Sequence, residues 1–418
     1  MKTAFFFIIL QSIMARIEDL PESFVSYTRE TMGEELFAAF VSGLGEEAPV
    51  SIRVNRAKWD GDVVHGERVP WSADGYYLPD RPNFTFDPLL HAGCYYVQEA
   101  SSMFVERVLG QYVTEPVEML DMCAAPGGKS LAAIATLPEG SWLMSNEPIR
   151  QRASVLAENV SKWGSERMVV VNNYPEQISK SKLKFDVILC DVPCSGEGMF
   201  RKDAQAISEW SVQNVEKCRQ LQREIVAEAW KCLRPGGLLI YSTCTFNTRE
   251  NEENVRWIMD EYGAEILPVD IREEWNVVGS LLAEFDGPVY RFIPGVTRGE
   301  GIFMAVMRKD GEWKAQKKPS LDKLPPMLHR MELTRLSGEG KDTAPRVEID
   351  YDTAIAYLRR EAIRLPDDSP RGIITLTYRG VDIGQAKNIG NRANNLYPKE
   401  WRIKSTHVPE GRGEILKN

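Results

Sequence analysis

Between residues 119 and 309, short apolar runs alternate with longer amphipathic stretches. This alternation limits the fold more tightly than any other feature of the 418-residue chain. EMLDMC, SWLMSNE, MVVVNN, FDVILCD and GLLIYSTC are strand-like, while RASVLAENVSKWG and ISEWSVQNVEKCRQLQREIVAEAWKCL place apolar residues three and four apart. Continuous apolar strands joined by helices predict an α/β fold with a doubly wound, mostly parallel sheet covered on both faces. AEILPV and IFMAVMRK are expected to complete it as edge strands. In such a sheet, ligands sit beyond the carboxyl ends of the strands, near the point where strand order reverses.

The remaining chain divides around this unit. Residues 1–87 read as an N-terminal segment and small domain in which VSIRVNRAKW is the best strand candidate, and 88–310 hold the α/β unit. The charged, proline-containing stretch around 311–326 reads as a linker. Residues 327–418 contain a helix at DTAIAYLRREAI and a β-rich module around GIITLTYRGVDIGQAK. The opening MKTAFFFIILQSIMAR has the shape of an export signal but lacks a small-x-small cleavage site, so residues 1–14 read as an upstream start, with Met14 the natural beginning. No stretch approaches the roughly 20 apolar residues of a membrane span. Seven cysteines without a CxxC pair and four histidines fit neither a zinc site nor a disulfide framework, and a reducing cytoplasm suits them better. The net charge is −9, yet residues 371–418 carry nine Lys/Arg against four Asp/Glu, so a polyanion partner would be met there.

Three places carry candidate chemistry. In EMLDMCAAPGGKSL an acid at a strand end is followed by a turn of small residues and a helix start, whose free amides face the crevice. The GxGxxG of a nicotinamide site is absent. A P-loop would need glycine where Cys123 stands, and Pro126 would remove one amide from the loop. Glu147 ends the second strand, 26 residues after Asp121, where an acid can bind ribose hydroxyls. Cys194 and Cys244 follow strand ends and should open on the same crevice, whereas Cys190, Cys218 and Cys232 fall within strand or helix patterns and read as packing residues. A thiol is a strong nucleophile even when only a few per cent ionised. No histidine lies close in sequence to either cysteine, so a Cys-His hydrolase lacks support.

As a set, DMCAAPGGKS, DVPCSGEGMF and YSTCTF, flanked by CYYVQEASSM and GEGIFMAVMRK, resemble the Nol/Nop/Sun family of RNA cytosine-5 methyltransferases, and the layout is similar to its bacterial RsmF type. The resemblance implies a Rossmann-like methyltransferase domain and S-adenosyl-L-methionine as cofactor, with no metal. The cofactor would be held by Cys123, Ala124, Ala125, Pro126, Gly127, Gly128 and Lys129, with Glu147 on the ribose, Asn173 near the adenine and Asp191 near the methionine end. Asn173 departs from the aspartate expected there. It further implies Cys244 as the nucleophile toward cytosine carbon-6, Cys194 in product release, and Asp191 within reach of the ring nitrogen-3. The implied partner is RNA, most simply small-subunit rRNA. GQAKNIGNRANNLYPKEWRI resembles a PUA-like RNA-binding end, with Tyr378, Tyr397 and Trp401 set among Arg379, Lys387, Arg392, Lys399 and Arg402 as base-stacking and phosphate-binding candidates. A chain that binds ribosomes without catalysis remains the alternative at this point.

Overall fold

A computed structural model describes residues 16–314, 324–336, 344–405 and 414–417. Residues 1–14, and 315–323 of the expected linker, lie outside the described residues. At the centre is an eight-stranded sheet in the spatial order Glu265–Leu267, Ile302–Arg308, Leu233–Thr243, Phe185–Asp191, Glu118–Asp121, Trp142–Asn146, Met168–Val171, with Val289–Phe292 also paired to Ile302–Arg308. The five strands from Leu233–Thr243 to Met168–Val171 run parallel, as the apolar runs predict. Strand order reverses between Glu118–Asp121 and Phe185–Asp191, so their carboxyl ends open the ligand crevice.

One edge expectation is corrected. Glu265–Leu267 does lie at the edge, but Ile302–Arg308 sits inside the sheet, antiparallel to Leu233–Thr243 on one side and to Glu265–Leu267 and Val289–Phe292 on the other. Its first six residues are all buried, which suits a central strand covered on both faces rather than an edge. The opposite edge, Met168–Val171, is closed by the chain around His329. Asn172 N–H donates to His329 O at 2.9 Å, and Met331 N–H donates to Val170 O at 2.8 Å. Covering an edge in this way satisfies backbone groups that would otherwise recruit another strand.

The N-terminal unit is a four-stranded antiparallel sheet, Glu67–Arg68, Gly75–Leu78, Val50–Val54 and Tyr95–Val97, so its pairing reaches past residue 87. Helix Glu22–Leu44, broken at Gly33 (φ 75°), packs beneath the α/β unit. Phe24 meets Phe200 and Trp210 edge-on at 5.1 Å between centroids, and Phe40 meets Phe246 at 5.2 Å. Phe246 is two residues beyond Cys244, so this helix supports the loop that carries that thiol.

The C-terminal sheet, Arg346–Glu348, Gly372–Tyr378, Val381–Asn388 and Ala393–Asn395, is not a separate bead. Its Tyr357, Ile374 and Leu376 share one buried cluster with Ile52, Val54 and Trp59 of the N-terminal unit, and Leu416–Lys417 pairs with Asp62–Val63. The same packing overturns one assignment: Tyr397 is buried against Tyr357 and Trp401 and cannot stack on an RNA base. Among the described residues, no helix is long and apolar enough to cross a membrane. Because Leu376 belongs to a core shared by both ends of the chain, Leu376→Ala is expected to lower the unfolding free energy by about 2–5 kcal/mol. In hydrogen exchange, the amides of Ile52 and Val54 should lose protection together with those of the C-terminal sheet; N-terminal amides unmoved by the substitution would contradict a common core.

Candidate active site

The turn between Asp121 and the helix Gly128–Thr136 lies at the strand-order switch. Gly127 takes φ 121°, a conformation that favours glycine, and so turns the chain into the helix start. The turn is held from behind: Ala124 N–H donates to Asn146 O at 2.8 Å, Arg152 Nη2 to Ala125 O at 2.9 Å, and Asn159 Nδ2 to Pro126 O at 2.8 Å. Asp121 is fully buried, accepts from Ser130 Oγ at 2.7 Å, and has one oxygen without a hydrogen-bond partner. Burial pushes its carboxyl up to about 7. Glu147, also buried, accepts from Ile149 N–H at 2.9 Å through Oε1. Its Oε2 has no hydrogen-bond partner, although Arg152 Nη1 lies 3.4 Å away.

The two strand-end cysteines converge: Cys194 Sγ and Cys244 Sγ lie 3.2 Å apart, both half-buried and unbonded. The hydrogen bond from the Cys194 thiol is the largest influence holding Cys244 below the ordinary thiol range; burial and Asp191 oppose it, and Lys129 assists. Donating that hydrogen bond, together with burial, raises Cys194 well above the ordinary range. Beside the thiols, Lys129 Nζ pairs with Asp191 Oδ2 at 2.9 Å, and Ser242 Oγ donates to Asp191 Oδ1 at 2.6 Å. Burial disfavours the Lys129 charge, but the ion pair and hydrogen bond with Asp191 outweigh it and the ammonium group is stabilised. The site therefore holds two thiols in hydrogen-bond contact beside a lysine–carboxylate pair.

Of the residues singled out from sequence, Cys123 to Lys129, Glu147, Asp191, Cys194 and Cys244 all stand along these strand ends. Asn173 stands at the end of the next strand, where its side chain is engaged by the protein: Oδ1 accepts from His329 N–H at 2.9 Å, and Nδ2 donates to Gln177 Oε1 at 3.3 Å. Cys190 and Cys232 are buried and Cys218 is half-buried, each with its thiol pushed up by burial.

The sequence reading missed a buried polar network beneath the thiols. Glu197 Oε2 accepts from Phe246 N–H at 2.6 Å and Asn247 N–H at 3.1 Å, and its Oε1 from Trp210 Nε1 at 3.0 Å. Asn247 Nδ2 bridges Glu197 and Glu250 at 3.0 and 2.8 Å. Gly198 N–H donates to Cys244 O at 2.8 Å, and a Cβ on Gly198 would lie 2.9 Å from that same oxygen. The available signal was the density of polar residues in SGEG and TFNTREN, immediately after each cysteine.

Three family profiles cover most of the chain. That of the 16S rRNA methyltransferase RsmB/F family matches residues 112–308, that of the N-terminal domain of 16S rRNA methyltransferase RsmF matches 20–100, and that of the methyltransferase RsmF PUA domain matches 344–403. Ribosomal RNA small subunit methyltransferase F of Cronobacter sakazakii is 33% identical over 307 residues, which are 69% of this chain and 63% of that protein. The protein of the same description from Serratia proteamaculans is 32% identical over 356 residues, covering 81% and 72% of the two chains. The first of these alignments thus spans under two thirds of the relative's length. Among solved structures, a methyltransferase homologue from Pyrococcus horikoshii matches 69% of this chain and all of its own at 25% identity and a TM-score of 0.57. NSun6 from the same organism, with SFG, matches 71% of this chain at 19% identity and a TM-score of 0.58, a likeness of fold.

The hydrogen bond between the sulfurs has a measurable consequence. Alkylation of Cys244 by iodoacetamide, followed by peptide mass spectrometry, should show a midpoint below that of an ordinary exposed thiol. Cys194→Ala removes the donor and should move the midpoint upward; an unchanged midpoint would mean that the contact does not tune Cys244.

Proposed function

Because this chain belongs to the RsmB/F family of 16S rRNA methyltransferases, we propose that it methylates carbon-5 of a cytosine in small-subunit rRNA through a covalent bond to Cys244. The observation that carries this reading is the pair of thiols 3.2 Å apart beside the Lys129–Asp191 pair at the strand-order switch. Cytosine carbon-5 is a weak nucleophile. Addition of the Cys244 sulfur to carbon-6 turns the ring into an enamine with electron density at carbon-5, splitting one hard step into two easier ones.

The residues present fit S-adenosyl-L-methionine. Glu147 Oε2, buried and without a hydrogen-bond partner, suits a ribose hydroxyl donor, and the helix start after Gly127 leaves amide groups facing the crevice. Cys123 to Lys129, Glu147, Asn173 and Asp191 are the proposed cofactor contacts. When bound, the cofactor supplies an electrophilic methyl group. The chain does the rest. The Cys194 thiol, donating to the Cys244 sulfur, favours its ionised form; once Cys244 is joined to the base that hydrogen bond is lost, and Cys194 stands free to take part in product release. Asp191, oriented by Lys129 and Ser242, is the carboxyl group within reach of ring nitrogen-3.

A base within a helix cannot reach this crevice, so the target is unpaired or extruded at a cost of a few kcal/mol. The N-terminal unit and the C-terminal module, joined through their shared core, are the proposed RNA-holding surfaces. The C-terminal module would contact RNA through exposed basic residues such as Lys387, Arg392 and Lys399 rather than through Tyr397.

Cys244→Ala is expected to abolish methyl transfer to small-subunit rRNA while leaving cofactor affinity, read by calorimetry, within about threefold of the parent. Full activity in that variant would remove the nucleophile. Cys194→Ala should leave a covalent protein–RNA species that survives denaturing electrophoresis; the absence of a shifted band would count against its part in release.

A further inference from the structure

We infer that Gln222 and Glu250 are positioning residues for the Cys194 thiol, clamping the two peptide groups on either side of it; the inference rests on the covalent reading above. Gln222 is fully buried on helix Val212–Cys232, outside the stretches that carry the resemblance. Its Nε2 donates to Pro193 O at 2.9 Å and to Glu250 Oε2 at 2.7 Å. Glu250 Oε2 in turn accepts from Ser195 N–H at 3.0 Å. The carbonyl before Cys194 and the amide after it are thus tied into one chain of hydrogen bonds that starts on a helix.

The direction of this chain is fixed by its neighbours. Arg223 Nε, which can only donate, reaches Asn254 Oδ1 at 2.8 Å and so turns Asn254 Nδ2 toward Gln222 Oε1, 2.7 Å away. That leaves the Gln222 amide nitrogen toward Pro193 and Glu250. A flipped amide would set nitrogen against nitrogen at Asn254, and oxygen against oxygen at Pro193 and Glu250.

The clamp acts on Cys194 more than on Cys244. The peptide groups around Cys244 are held by other donors, Gly198 N–H to Cys244 O at 2.8 Å and Asn251 Nδ2 to Thr245 O at 3.0 Å, the first of which also ties the two loops together. The Cys194 loop runs through Pro193 and Gly196, the latter in the left-handed region at φ 76°, and is further tied to the other loop by Ser195 Oγ and Thr245 Oγ1, 2.9 Å apart. Without Gln222, Pro193 O loses its side-chain donor and Glu250 Oε2 loses its support. Displacing a catalytic group by about 1 Å is enough to slow a step by orders of magnitude.

The test uses the full chain carrying Gln222→Met, which keeps the length of the side chain and removes its donors. Three quantities are read with small-subunit rRNA and S-adenosylmethionine: cofactor affinity, single-turnover methyl incorporation, and decay of the covalent adduct on denaturing gels. Affinity is expected within about threefold of the parent, incorporation slowed because Cys194 also supports Cys244, and adduct decay slowed further, about tenfold or more beyond the loss in incorporation. Decay at the parent rate, or equal losses in all three quantities, would overturn the inference. Should Gln222→Met fail to fold, Glu250→Gln is read by the same criteria; failure of both to fold or to bind cofactor would show that the pair serves only the fold, and would overturn it as well. Cys194→Ala on the same gel separates the two ideas, because absence of a trapped adduct there sinks the role of Cys194 in release and leaves the Gln222→Met comparison of rates to judge the clamp.

Discussion

Two neighbouring parallel strands, Phe185–Asp191 and Leu233–Thr243, must deliver a sulfur each to one point, and much of the molecule is organised around that demand. Their register sets Asp191 opposite Ser242, so both loops leave the sheet on the same side, with their origins one strand spacing apart, about 4.8 Å. Parallel neighbours bring the loops close, but the sheet alone cannot hold them at van der Waals contact. The 3.2 Å separation requires braces from outside the sheet, and three elements supply them: helix Glu22–Leu44 under Phe246, helix Val212–Cys232 through Gln222, and the Glu197–Asn247–Glu250 network between the loops.

That network is electrostatically costly. Two buried carboxylates share the amide of Asn247, and burial, with Glu197 adding to it, pushes the Glu250 carboxyl up to about 7. The opposing pull comes from N–H donors of Ser195, Asn247 and Gln222, which favour the ionised form. A purely apolar floor would avoid this cost but would leave the loop amides of Ser195, Phe246 and Asn247 without acceptors, at about 1–3 kcal/mol each when buried. The acids are there because irregular backbone has been drawn inside the protein.

The sheet and the placement of both thiols were legible because they depend on local patterns: apolar runs of strand length, each ending in an acid or a small-residue turn. Ile302–Arg308 was misplaced at an edge because apolar content reports burial but not the identity of the neighbours. Glu197, Glu250 and Gln222 escaped notice because their partners are far away in sequence; Gln222 lies on an amphipathic helix and looks like any polar residue of its solvated side. The fusion of the two terminal units was equally hidden. Val54, Trp59, Tyr357 and Leu376 each fit a small local core, and only the fold makes those cores one. Tyr397 was mistaken for a surface ring for the same reason, since its basic neighbours in sequence are not its neighbours in space.

The departure at Asn173 follows from how the sheet edge is closed. The chain around His329 covers Met168–Val171, and its His329 N–H needs an acceptor, which Asn173 Oδ1 provides. On the other side stands Gln177 Oε1, turned there because it accepts from Tyr174 N–H at 2.8 Å. The position therefore requires an acceptor on one side and a donor on the other. An asparagine meets both needs; an aspartate would set a carboxylate oxygen against the Gln177 carbonyl oxygen. The amide at this strand end is thus accounted for by the strap that crosses it, and the cofactor would meet a residue whose orientation is set by the segment leading to the C-terminal module.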